Sequence, residues 1–221
     1  TMTTFGDEGN SYANFGWAKA GYYGLFIPLV KDIHNNLSEM SKWFLKNLIF
    51  TPEFHYFRYL IPVDIENIAT ADISSIPSSA VFPDIGLVTI QDNLDAYSGT
   101  NIGFRSSYYG SINHNHADQN SFTIAYSWIP LANDTGYYDG YNDMSSKHRN
   151  EWTIQTLAHN AITYNEGKWQ ANDSAQNSVI YGAKARWDIT YYLDTPLATI
   201  TTGDATPAYM GQFSDMKRTL V

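Results

Sequence analysis

The 221-residue chain contains no cysteine, so no disulfide can frame its fold and its redox compartment stays open. Charge is scarce as well: Asp, Glu, Lys and Arg make up 16% of the residues, below the usual quarter. Only 13 of them are basic against 22 acidic, giving a net charge of −9 with no dense Lys/Arg stripe to offset it. That balance excludes nucleic acid as a partner. No apolar run approaches the roughly 20 residues of a membrane helix, because GLFIPLV stops at Lys31 and FLKNLIF carries Lys46. The opening TMTTFGDEGN has neither the basic start nor the apolar stretch of a secretion signal. The closing MKRTLV reads as the first half of a strand, so the expectation is a fragment cut at both ends. Internal repeats and low-complexity tracts are also missing.

What is present points to a folded domain. The chain is 43% apolar, has 15 glycines, and carries 11 Phe, 6 Trp and 17 Tyr, a content that excludes disorder. At this length a single domain buries roughly 70% of its unfolded surface, enough for a real core. Polarity is carried by amides and phenols, with eighteen asparagines beside the tyrosines, which suits a protein that handles sugars.

The hydrophobic period changes along the chain. Leu29, Ile33, Leu37, Met40, Phe44 and Leu48 recur every three or four residues, a helical rhythm, and a second short helix is expected from Pro52 to Tyr59. A Ser/Pro/Ala stretch, ADISSIPSSAVFP, then reads as a connector. Beyond it the period is two: Phe122, Ile124, Tyr126 and Trp128 alternate with Thr123, Ala125 and Ser127. Further strands are expected at Gly86–Gln91, Gly103–Ser107, Ala161–Tyr164, Ser178–Tyr181 and Arg186–Leu193. Turn chemistry at Asn133–Gly136, Asp139–Gly140, Asn165–Gly167 and Gly203–Asp204 separates them. Helices followed by strands argue an α+β class, with a helical segment at 1–63, a connector at 64–82 and a β-sandwich at 83–221.

Four of the six histidines fall between 114 and 159. In extended backbone the His114 and His116 side chains share one side, which suggests a metal pair, or a metal ligand beside an acid/base, against two surface histidines in an Asn-rich loop. His116, Asp134 and His159, each near the end of an expected strand, would make an N,N,O set that suits zinc. A cupin barrel needs a glutamate where Gln119 and Asn120 stand, which counts against that fold. Arg105, Lys147, His148 and Arg149 supply the nearby positive charge, a patch for an anionic substrate; Lys147–Arg149 also read as a solvated loop, whereas Arg105 sits in an expected strand and points somewhere specific.

The blocks PDIGLVTIQDN, FRSSYYGSINHNHADQNSF, LANDTGYY and QTLAHNAITYNEGKWQ, in this order, resemble the heparinase II/III-like polysaccharide lyases, and GDATPAY with KRTLV continues the pattern. The resemblance implies that the helices are the tail of an α/α toroid and that the β part is an incomplete sandwich. It also implies β-elimination at a uronic acid of an acidic polysaccharide, with heparin or heparan sulfate first and alginate second. His114 then matches the catalytic histidine, and His116, Asp134 and His159 match the ligands of a site-organising zinc, with calcium or manganese as alternatives. Tyr138 is the tyrosine chosen for proton transfer. Tyr137, Tyr141, Asn113 and Arg105 would hold the substrate. Glu8–Tyr12 is a faint match to the toroid's tyrosine motif. Localisation follows from such a substrate: periplasmic or secreted. Two other classes stay open, a non-catalytic carbohydrate-binding sandwich and a metal-dependent hydrolase.

Overall fold

A computed structural model describes residues 77–93, 99–108, 115–127, 129–134, 147–165, 170–171 and 188–221. The helices expected before residue 63, Tyr12 and the strand expected at Ser178–Tyr181 lie outside these residues. The chain divides into two compact units, Ser11–Pro77 on one side and Ser78–Val221 with Thr1–Asn10 on the other. Every strand below belongs to the latter.

The architecture is antiparallel β. Five strands pair in chain order, β1 (Ser79–Phe82), β2 (Leu87–Gln91), β3 (Thr100–Arg105), β4 (Ser121–Tyr126) and β5 (Ile129–Ala132). Three more form a second sheet, β6 (Ile189–Asp194), β7 (Thr199–Asp204) and β8 (Lys217–Leu220). Between β1 and β2 the chain makes a 3-10 turn at Pro83–Ile85 and reverses at Gly86, whose φ of 63° lies in the left-handed region. No larger residue fits there, since a Cβ would come within 2.0 Å of the Ser106 carbonyl oxygen.

Register places the apolar residues in rows. Val81 faces Val88, Val88 faces Phe104 and Phe104 faces Phe122, while Ile90, Ile102 and Ile124 form a parallel row two residues along. Val88 and Phe104 are completely buried. The second sheet covers this face. Gly203 of β7 sits against Phe104 and Ser106, and Arg218 of β8 lies over the Phe122 ring at 5.4 Å. The Ser79 and Tyr192 hydroxyls meet at 2.6 Å. A satellite core of Ala171, Ala205, Ala208 and Tyr209 packs with Tyr164, Phe213 and Met216. Its three rings meet edge to face at 5.1–6.0 Å.

Four local expectations change. Ser79–Phe82, read as the end of a connector, is a strand because its backbone pairs in full with β2. Ile129–Ala132 adds a strand after β4 despite Pro130, which an edge strand tolerates. Gly203–Asp204, read as a turn, closes β7, and the glycine is there for close approach to β3 and Asn120. Ala161–Tyr164 is not a strand: only Tyr164 bridges, and the Ile162 carbonyl accepts the Tyr209 hydroxyl at 2.7 Å. No helix among the described residues is long and apolar enough to cross a membrane.

Candidate metal centre

Three loops at one end of the large sheet carry His116, Asp134 and His159. His116 lies in the loop entering β4, where the Ala117 N–H donates to the Ile154 carbonyl at 3.0 Å. That loop closes with a turn, Ser121 N–H to Asp118 C=O, whose Asn120 has φ 58°, a conformation asparagine tolerates better than most residues. Asp134 stands two residues beyond β5. His159 follows a 3-10 turn at Thr156–Ala158 and donates its own N–H to the Thr156 carbonyl.

The three side chains converge, each offering a donor atom within 4.8 Å of the others. Exposure is 0% for His116, 4% for Asp134 and 7% for His159, so the cluster is closed to solvent. His159 Nδ1 is 2.6 Å from Asp134 Oδ1, and the two imidazole rings are 5.1 Å apart at a 46° tilt. Burial pushes the His159 pKa down, but the Asp134 hydrogen bond and charge, helped by Asp118 and opposed by Arg105, leave it raised. His159 Nε2 is buried and makes no hydrogen bond to the protein. A buried imidazole with an unused nitrogen, beside a second imidazole and a carboxylate, fits a metal ion.

The surroundings are built from long-range amide and guanidinium contacts. Arg105 is buried: its Nε lies 3.3 Å from Asp118 Oδ1, and its Nη2 donates to Asn115 Oδ1 at 2.6 Å. It therefore grips the His116 loop on both sides of the histidine. Gln119 Oε1 accepts the Ser107 N–H, and the Gln170 side chain both accepts the Gln119 N–H and donates to its carbonyl. Asn160 Nδ2 donates to the carbonyls of Phe122 and Asn133. The expected positive patch divides: Lys147 is exposed and faces Glu151 at 3.6 Å, whereas Arg149 is buried.

Of the site residues read from sequence, the structure brings together His116, Asp134 and His159 and places Arg105 beside them. Asn113, His114, Tyr137, Tyr138 and Tyr141 lie outside the described residues. Gln119, Gln170 and Asn160 were missed as site-builders, although the wealth of asparagine in the His block was a signal.

An antiparallel β domain with a closed His–Asp–His cluster defines the class. The chain belongs to the heparinase II/III-like, C-terminal family, whose model matches residues 76–213. Among solved structures it is similar to the heparan sulfate lyase HepC from Pedobacter heparinus, at 16% identity and a TM-score of 0.61. It is also similar to a heparinase III at 13% identity, and to a heparinase III gene product at 14% identity and a TM-score of 0.60. These similarities cover 99% of this chain but only 27% to 28% of those chains, and at such identity they establish the fold alone. No curated protein matches the chain by sequence.

Proposed function

We propose that this chain is the β-domain share of a polysaccharide lyase that cleaves a uronic-acid-containing polymer by β-elimination. Heparan sulfate or heparin is the first substrate class and alginate the second. The family supports the lyase class, and the neighbour named a heparan sulfate lyase supports the order of substrates. The observation that carries the reading is the closure of the cluster. With its three ligands at most 7% exposed, a bound metal would not meet a polymer or deliver a water to it. Closure favours a metal that organises the sandwich edge over one that activates water, and so disfavours the hydrolase reading. Two imidazoles and one carboxylate suit zinc, whereas calcium collects six to eight oxygens and manganese favours oxygen-rich sites.

In the reaction, a base removes the proton at C5, the C4–O4 bond breaks as the C4–C5 double bond forms, and an acid protonates O4. The charge that develops on the uronate is met by neutral donors, the roles assigned to His114 and Asn113. Tyr138 carries the proton transfer, and Tyr137 and Tyr141 hold the sugar. His114 is two residues from His116, so anchoring the ligand also anchors the chain next to the catalytic histidine. Zinc, when bound, supplies a cross-link among three loops. The buried Arg105 supports the same segment through Asn115 and Asp118. Such a substrate places the working enzyme in the periplasm or outside the cell.

The test is near-ultraviolet absorbance of unsaturated uronate when a longer protein containing this chain is incubated with heparan sulfate or alginate. Absorbance that grows with time, and is lost in His114→Ala, supports the reading. New reducing ends without the chromophore would favour a hydrolase. Binding without turnover would favour a carbohydrate-binding module.

A further inference from the structure

The pairing of β4 with β5 sets the His116 and Asp134 loops side by side, but among the described residues the His159 loop adjoins no strand of either sheet, so side-chain contacts must help to hold it in register. Arg218, on the outer strand of the small sheet, reaches across to two of the three loops. Its Nη1 donates to the carbonyl of Asn120, four residues after His116, at 2.6 Å, and to the carbonyl of Asn160, next to His159, at 2.5 Å. Its guanidinium carbon lies 5.4 Å from the Phe122 ring centroid, at the start of β4. No carboxylate pairs with this half-buried cation among the described residues, whereas its neighbour Lys217 faces Asp215 and Asp204. The Arg218 charge is thus directed at backbone carbonyls, which a planar fork serves and a flexible ammonium serves less well.

Asn160 extends the connection to the third loop. Its Nδ2 donates to the carbonyl of Asn133, the residue before Asp134, at 3.2 Å, and to that of Phe122 at 2.9 Å. Asn120 secures the other end, its Nδ2 donating to the carbonyls of Gly203 and Met216 at 3.1 and 3.2 Å. One chain of contacts therefore runs from β8 through Arg218 to the loops of His116 and His159, and through Asn160 to that of Asp134. None of these side chains supplies a metal donor.

We infer that Arg218 and Asn160 are positioning residues for the metal centre, which hold the His116, Asp134 and His159 loops at the separation that the ion requires. The inference rests on the metal reading proposed above. It places the tuning of the site on a strand remote from the ligands in sequence, because Arg218 is 58 residues from Asn160 and 98 from Asn120.

The test is zinc affinity, measured by competition with a chromophoric chelator on the full chain, with thermal unfolding followed in parallel. Arg218→Gln and Asn160→Ala should each weaken zinc binding about 10–100-fold, the usual effect of losing a partner that orients a ligand. Arg218→Lys should fall between Arg218→Gln and the native chain. Tyr192→Phe, which removes the inter-sheet contact to Ser79 away from the centre, should lower the melting temperature and leave zinc affinity unchanged. If Arg218→Gln does not fold, Asn160→Ala alone decides. Native-like zinc affinity in folded variants that merely melt earlier would overturn the positioning role and leave the metal centre standing. A native chain that binds no zinc would overturn both.

Discussion

Gly203→Ala is the substitution that most directly probes how the small sheet seats on the large one. A Cβ at this position would lie 2.2 Å from Asn120 Oδ1, 2.8 Å from Ser106 Cβ and 2.9 Å from Phe104 Cζ. None of these atoms moves freely. The Asn120 amide is tied down by its bonds to Gly203 and Met216, Ser106 is buried, and Phe104 is wedged between Val88 and Phe122 in the cross-strand row. Overpacking of this kind costs about 1–3 kcal/mol, and displacing the Asn120 amide forfeits about 1 kcal/mol more. At roughly 2–4 °C per kcal/mol for a domain of this size, the melting temperature should fall by about 5–15 °C. Circular dichroism at the β-sheet band, recorded against temperature, reads it directly. Asn120→Gly suits the left-handed backbone at that position and clears the nearest obstacle, so Gly203→Ala should cost less in that background. An unchanged melting temperature in Gly203→Ala, or an equal cost in both backgrounds, would refute the packing described.

Three further outcomes are expected. Tyr209→Phe removes a buried hydroxyl that donates to the Ile162 carbonyl and accepts from Gln170, so it should cost about 1–3 kcal/mol by chemical denaturation; a neutral result would mean the satellite core does not depend on that bond. His116→Ala should lose metal and stability together, whereas His114→Ala should keep its metal, as read by elemental analysis; equal metal loss would contradict the division of roles between the two histidines. The stabilisation conferred by zinc should grow as pH rises from about 5 to 8, since the metal displaces protons from the histidines. The sign follows from His159, whose pKa is raised in the metal-free fold. Its proton stabilises that fold below the unfolded pKa, and this contribution is lost as pH rises through the folded value. The gap in melting temperature between zinc-loaded and chelator-treated protein should therefore widen toward alkaline pH, and a gap that narrows would contradict the assignment.

Strands with a clean period of two were legible in the sequence. β2 and β4 fall within a residue or two of the alternation that marks them, and the closing KRTL is β8. β1, β5 and β7 were not, because SAVF, IPLA and TITTGD owe their extended form to pairing partners rather than to their own pattern. The convergence of His116, Asp134 and His159 was legible because the three stand in recognisable blocks. Sequence separation alone, 18 residues from His116 to Asp134 and 25 more to His159, carries no such information. The scaffold around the ligands was illegible for a different reason. Gln119 meets Gln170 51 residues away, and Arg218 meets Asn120 98 residues away, through side-chain contacts to backbone that follow no period. Arg105 was legible as a strand residue aimed at something specific, but its engagement with Asp118 and Asn115 was not, because those partners lie in a loop with no period.

The central claim is that His116, Asp134 and His159 form one closed metal centre. Metal content per chain, measured by mass spectrometry of the protein purified without added metal and then reloaded with zinc, tests it most directly. One zinc per native chain, falling to none in His116→Ala and in His159→Ala, is the result that the proposed zinc centre predicts. No bound zinc in the native chain, or full occupancy in either variant, would contradict it.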